Sequence, residues 1–162
     1  MSPESAIVAA LLVPLAGALG ILATGRIHPN LRETVTLVTA ASLAWVVWGL
    51  LPLVNDGGRP AVEVAQLLPG LTIAFKVEPL GMMFALVASG LWIVTSIYAI
   101  GYMRAHNEKH QTRFYVCFAI ALAGAMGIAF AANLLTLFLF YELLTLSTYP
   151  LVTHAGTPEA KQ

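Results

Sequence analysis

The stretch FYVCFAIALAGAMGIAFAANLLTLFLFYELLTLSTYPLVT, Phe114 to Thr153, decides the fold: it runs for 40 residues with one charged side chain, Glu142. As a single helix it would be about 60 Å long at ~1.5 Å per residue, twice the ~30 Å hydrocarbon core of a bilayer. The chain must therefore reverse inside it. Ala131-Ala132-Asn133 is the best site, since Asn suits both the left-handed end of one helix and the N-cap of the next. Two helices follow, over 114–131 and 134–153, and Glu142 falls about 13 Å past the turn, close to the bilayer midplane.

Three further spans lie upstream, over about 6–24, 34–54 and 79–102, each long and apolar enough to cross, with Pro79 at a first helical position where a missing N–H costs nothing. Between the second and third, Leu71, Ile73, Phe75 and Val77 alternate with Thr72, Ala74 and Lys76, a period of two that marks a strand. Val62-Glu63-Val64 can pair with it around Pro69-Gly70, a turn dipeptide. The sequence thus predicts an all-α membrane protein of about five transmembrane helices, with a small external β-hairpin between helices two and three, as a single domain over residues 1–162.

Composition agrees: 59% of the 162 residues are hydrophobic and 10% charged, against roughly 25% charge in a soluble domain. Eight Lys+Arg balance eight Asp+Glu, so there is no basic field for nucleic acid. Cys117 is the one cysteine, and no Cys/His spacing suggests a metal site. The four histidines, His28, His106, His110 and His154, lie in loops or at a span edge, so no facing pair is expected to hold a haem. No cofactor is expected, and no catalysis by the chain alone. Met1 to Ser5 holds Glu4 and no Lys or Arg, so the first helix is expected to be retained, not cleaved as a signal peptide.

Orientation follows from the cations. Arg26, Arg32, Arg104, Lys109, Arg113 and Lys161 fall on one side, against Arg59 and Lys76 on the other, which predicts an external N-terminus and a cytoplasmic C-terminus in the cytoplasmic membrane.

An ionised carboxylate in the middle of a lipid-spanning helix costs roughly 2.5–3.5 kcal/mol on insertion scales, so Glu142 is the first functional candidate, as a proton carrier. At 100° per residue, Thr145, Tyr149 and Thr153 fall within about 60° of it, a polar stripe on the cytoplasmic half of the helix; Leu135 and Phe138 lie on the outward half. Pro150 frees the carbonyl of Leu146 one turn away, which suits water, and His154 stands at the helix mouth as a proton relay candidate. The competing reading makes Glu142 a neutral packing residue hydrogen-bonded to a carbonyl. No Lys, Arg or Asp lies inside the five spans, so a cation for Glu142 has to come from another chain or segment. In the fourth helix Ala121, Ala125 and Ala129, and Ala123, Gly127 and Ala131, are small residues spaced for close helix packing.

The words around Glu142 carry a resemblance. IYAIGYM (97–103), TRFYVCFAIALAGAMGIAF (112–130) and ANLLTLFLFYELLTLSTYPLV (132–152) resemble the N-terminal part of the antiporter-like subunits shared by respiratory complex I, membrane-bound hydrogenases and Mrp-type cation/proton antiporters, with helix five most similar to the D-type Mrp subunits. The resemblance implies that Glu142 corresponds to the family's fifth-helix glutamate, which pairs with a lysine on helix seven and modulates proton passage. It implies an external N-terminus, other membrane subunits as partners, and protons as cargo, with Na+ or K+ left open as coupled ions and a redox or a gradient driver left open too. Position 78 is Glu where many relatives have Asp. Family members have about fourteen helices in two inverted repeats. The chain is therefore expected to be a truncated or split subunit, the N-terminal third of such a protein, that translocates protons within a larger complex; a structural or assembly subunit without transport is the alternative.

Overall fold

A computed structural model of the chain describes residues 1–107 and 109–153. The elements are α1 (Pro3–Thr24), α2 (Pro29–Asn55), β1 (Ala61–Leu68), β2 (Leu71–Lys76), α3 (Pro79–His106), α4 (Gln111–Phe130) and α5 (Leu134–Val152). All five helices are long and apolar enough to cross a membrane. The chain is an integral, multi-pass membrane protein.

The helices begin where backbone donors find acceptors. Ser2 caps α1 through its hydroxyl, which accepts from the Ser5 N–H at 3.2 Å, and Pro3 follows at the first helical position. His28 caps α2, its Nδ1 accepting from the Asn30 N–H at 3.1 Å, and Pro29 opens the helix. This cap draws 29–33 into α2, so Arg32 and Glu33 lie in its first turns, ahead of the uncharged span that hydropathy delimits. At the α4–α5 reversal Asn133 is the N-cap, its Oδ1 accepting from the Thr136 N–H at 2.9 Å.

Four helices close a ring, in which α1 and α3 each pack on both α2 and α4, and α5 joins it by packing on α4. α4 is the most enclosed helix and α5 the least. Inward faces mix small and large apolar groups, among them Ala6, Ile7 and Ala10 on α1, Leu43 and Val47 on α2, Ala85 and Trp92 on α3, and Ala119, Ala123 and Met126 on α4. Outward faces carry Leu12, Leu19, Trp45, Trp48 and Val94, because lipid accepts large apolar groups as readily as the interior does.

The hairpin has the predicted place and direction. β1 and β2 are antiparallel, from Ala61 opposite Lys76 to Leu68 opposite Leu71, with Pro69-Gly70 as the two-residue link and Gly70 at φ +84°. β2 does not alternate cleanly, since adjacent Ala74 and Phe75 are both buried. The cause is that its free edge is paired to the α4–α5 turn: the Ala132 N–H donates to the Ala74 carbonyl at 3.0 Å, the Ala74 N–H donates to Thr136 Oγ1 at 3.0 Å, and Asn133 Nδ2 donates to the Thr72 carbonyl at 2.7 Å. The residues that reverse the chain therefore also anchor the hairpin. Thr136 is fully buried, so Thr136→Val, which keeps the shape and deletes the acceptor, should lower unfolding stability by about 1–3 kcal/mol. Thr136→Ser should retain most of it; equal thermal unfolding of Val and Ser variants in detergent would count against the anchor.

Candidate functional site

Two polar regions interrupt the apolar bundle. The first is the outward face of α5. Phe140 and Leu144 press against Gly127 and Gly124 of α4, and Thr136 and Ser147 are buried. Glu142 lies about 160–200° around the helix from Phe140 and Leu144, so it is exposed on the side turned away from α4, together with Thr145 and Tyr149. Among the described residues Glu142 has no ion pair or hydrogen bond through its side chain.

The stripe around it is only partly assembled. Thr145 and Tyr149 share the Glu142 face, but the Thr145 hydroxyl donates to its own helix, to the Tyr141 carbonyl at 2.9 Å, leaving oxygen lone pairs as its outward polar capacity. Thr153 is not on the open face: it is the buried C-cap, its hydroxyl donating to the Tyr149 carbonyl at 2.9 Å. Pro150 is accommodated within α5. Ser147 and Thr148 donate to the carbonyls of Leu144 and Thr145, at 3.0 and 3.1 Å. His154 lies outside the described residues.

The second region was not singled out by the sequence. At the end of the bundle where α2 and α4 start and α3 finishes, Arg32 and Glu33 are both buried and paired at 3.5 Å. Arg104 of α3 reaches the same carboxylate, with Nε donating to Glu33 Oε1 at 3.0 Å and a second nitrogen bonded to Oε2. Arg32 also donates to Gln111 Oε1 at 2.9 Å and Thr112 Oγ1 at 3.3 Å, and its guanidinium lies 5.2 Å from the Tyr115 ring centre. Two cations counted as loop charges thus meet one carboxylate between three helices. The adjacent Arg32-Glu33 pair three residues after Pro29 was the available signal; cutting spans at charged residues hid it. No group of three or more His, Cys, Asp or Glu that could hold a metal is found among the described residues.

Comparison with known proteins places this fold. A family model described as NADH-Ubiquinone oxidoreductase (complex I), chain 5 N-terminus, matches residues 69–115, from the hairpin turn through α3 into the start of α4. The Na(+)/H(+) antiporter subunit A1 of Staphylococcus aureus (strain bovine RF122 / ET3-1) is 31% identical over 99 residues, which are 59% of this chain and 12% of that protein. The same protein from strain JH9 is 27% identical over the same length. Among solved structures, the Mrp complex from Dietzia sp. DQ12-45-1b has a chain that superposes with a TM-score of 0.76 at 24% identity, covering 94% of this chain and 28% of that one. The chain resembles the N-terminal part of an antiporter-like subunit. A second fold match is a chain of the membrane-bound sulfane sulfur reductase (MBS), an archaeal respiratory membrane complex, at TM-score 0.70 and 20% identity, covering 88% of this chain and 22% of that one. The chain spans a small part of the relatives it matches. Those sequence relatives are A1 subunits and not the D-type Mrp subunits expected from the resemblance of helix five, so the antiporter-like level is what holds.

Proposed function

We propose that this chain is a membrane component of a multisubunit cation/proton-translocating complex of the Mrp or complex I-like kind, in which Glu142 carries or gates protons. The observation that carries the reading is a lone carboxylate halfway along a membrane-spanning helix, on a face that the described residues leave open, with Thr145 and Tyr149 beside it. A carboxylate at that depth is costly unless it is used or paired. The open face is where a segment bearing an intramembrane Lys would meet it, supplied by another chain or by further sequence. The A1 antiporter relatives support protons with Na+ as the first coupled ion to test; the α5 wording resembles the D-type Mrp subunits, and we read the place of the chain at the level common to both. The six-to-two cation asymmetry supports an external N-terminus and hairpin, and a cytoplasmic C-terminus. Chemistry in a redox-driven complex would belong to other subunits.

The test is Glu142→Gln in the assembled complex, reconstituted in vesicles, with proton flux followed by a pH-sensitive dye. Flux should fall to that of vesicles without the complex, with assembly unchanged on a native gel. Unchanged flux would instead assign Glu142 to packing.

A further inference from the structure

Among the described residues three buried side-chain polar atoms have no hydrogen-bond partner in the protein: Arg32 Nε, Ser96 Oγ and Tyr115 OH. They are not scattered. The Arg32 guanidinium covers the Tyr115 ring, and Tyr115 and Ser96 both line one small cavity between α3 and α4, with Trp92 and Phe118 also in its wall. Its volume is about 10 Å³, the room of a single water. On its other side Arg32 lines a polar cavity of about 370 Å³ with Glu33, Arg104 and Gln111. A buried hydroxyl or guanidinium N–H without a partner is unfavourable. Two of the three atoms belong to residues that line one cavity, and the third to the side chain whose guanidinium lies over the ring of one of them.

We propose that this is a water-binding spur: one water bridges Ser96 Oγ and Tyr115 OH, and a second accepts from Arg32 Nε at the edge of the polar cavity. Each hydroxyl can donate to or accept from the bridging water, and Thr95 adds a third hydroxyl among the residues that line the cavity. Ser96 precedes Arg104 by eight residues on α3, so the spur reaches about 12 Å into the bundle. It lies between α3 and α4, whereas Glu142 is on the far side of α5, so it is independent of the proton-carrier reading.

The sign of a stability change tests it. Tyr115→Phe and Ser96→Ala each remove one hydroxyl and little volume. With a bridging water, each should lower the melting temperature of the purified protein by ~2–4 °C, and the double variant should fall no further than either single, because one bridge is lost in every case. X-ray radiolytic labelling, which oxidises side chains beside bound water, should mark Tyr115 despite its burial, and the mark should vanish in Ser96→Ala. A rise in melting temperature on either substitution would mean dry, unpaired hydroxyls and overturn the spur. A fall with Tyr115 unlabelled would mean a direct hydroxyl–hydroxyl bond and overturn it equally.

Discussion

Glu33→Ala should lower the unfolding stability of the chain by about 3 kcal/mol, the lower end of what removing one partner of a buried ion pair costs. The two legs of the cluster differ. The Arg104 side chain is 53% exposed, so water compensates most of what it loses, as at other surface pairs. The Arg32 and Glu33 side chains are each only 7% exposed, so deleting the carboxylate leaves a buried guanidinium with neutral partners, the Gln111 and Thr112 oxygens and the Tyr115 ring. That uncompensated charge dominates. For a chain of this size the loss corresponds to a melting temperature lower by ~6–12 °C in detergent. Glu63→Ala, on the exposed strand of the hairpin, is the control and should change stability by no more than ~0.5 kcal/mol. Equal shifts for the two would show that the cluster contributes nothing.

Gly127→Leu should be comparably damaging, for a steric reason. A Cβ at this position of α4 would fall on the Phe140 ring of α5. Phe140 cannot simply turn aside, because its ring meets that of buried Phe75 edge-on, centroids 5.4 Å apart, and Phe75 belongs to the strand tied to the α4–α5 turn. The added side chain must push α5 from α4 or displace the hairpin. Overpacking typically costs about 1–3 kcal/mol, and a site held from both sides belongs at or above the upper end. Gly101→Leu makes the same chemical change on α3 where nothing lies within 4 Å. There the helix gains a better helix former, so its stability should hold or rise. A melting series in which the two glycines respond alike would remove the close approach as an explanation of α4–α5 packing.

Glu142 and Glu33 show where reading the sequence succeeds and where it stops. Glu142 stood out because a lone charge inside 40 apolar residues is conspicuous. Glu33 did not, because it sits one residue before the uncharged span, where a charge is ordinarily an interfacial group. Its burial depends on Arg104 arriving from 71 residues away, and hydropathy along the chain holds no record of that. Thr153 illustrates the same limit in reverse: helical spacing puts it near Glu142, yet the helix ends there and the residue turns in as a cap.

Asn133 also had a local reading, as the N-cap of α5, and the structure keeps it. Its second bond, to the carbonyl of Thr72, is long-range and joins the turn to the hairpin. Local residue order was enough to establish that five segments cross a membrane, that the chain reverses at Asn133 and that a hairpin forms around Pro69-Gly70. Transfer of backbone and side chains into hydrocarbon, and the conformations of Asn, Pro and Gly, are properties of short segments. Which face of each helix turns inward was left to the packing of the whole bundle. Lipid and protein interior are almost equally apolar, so no hydropathy contrast distinguishes Leu12, which faces out, from Leu11, which faces in. Only the fit of small residues against rings, and the meeting of Arg32, Glu33 and Arg104, selects one arrangement.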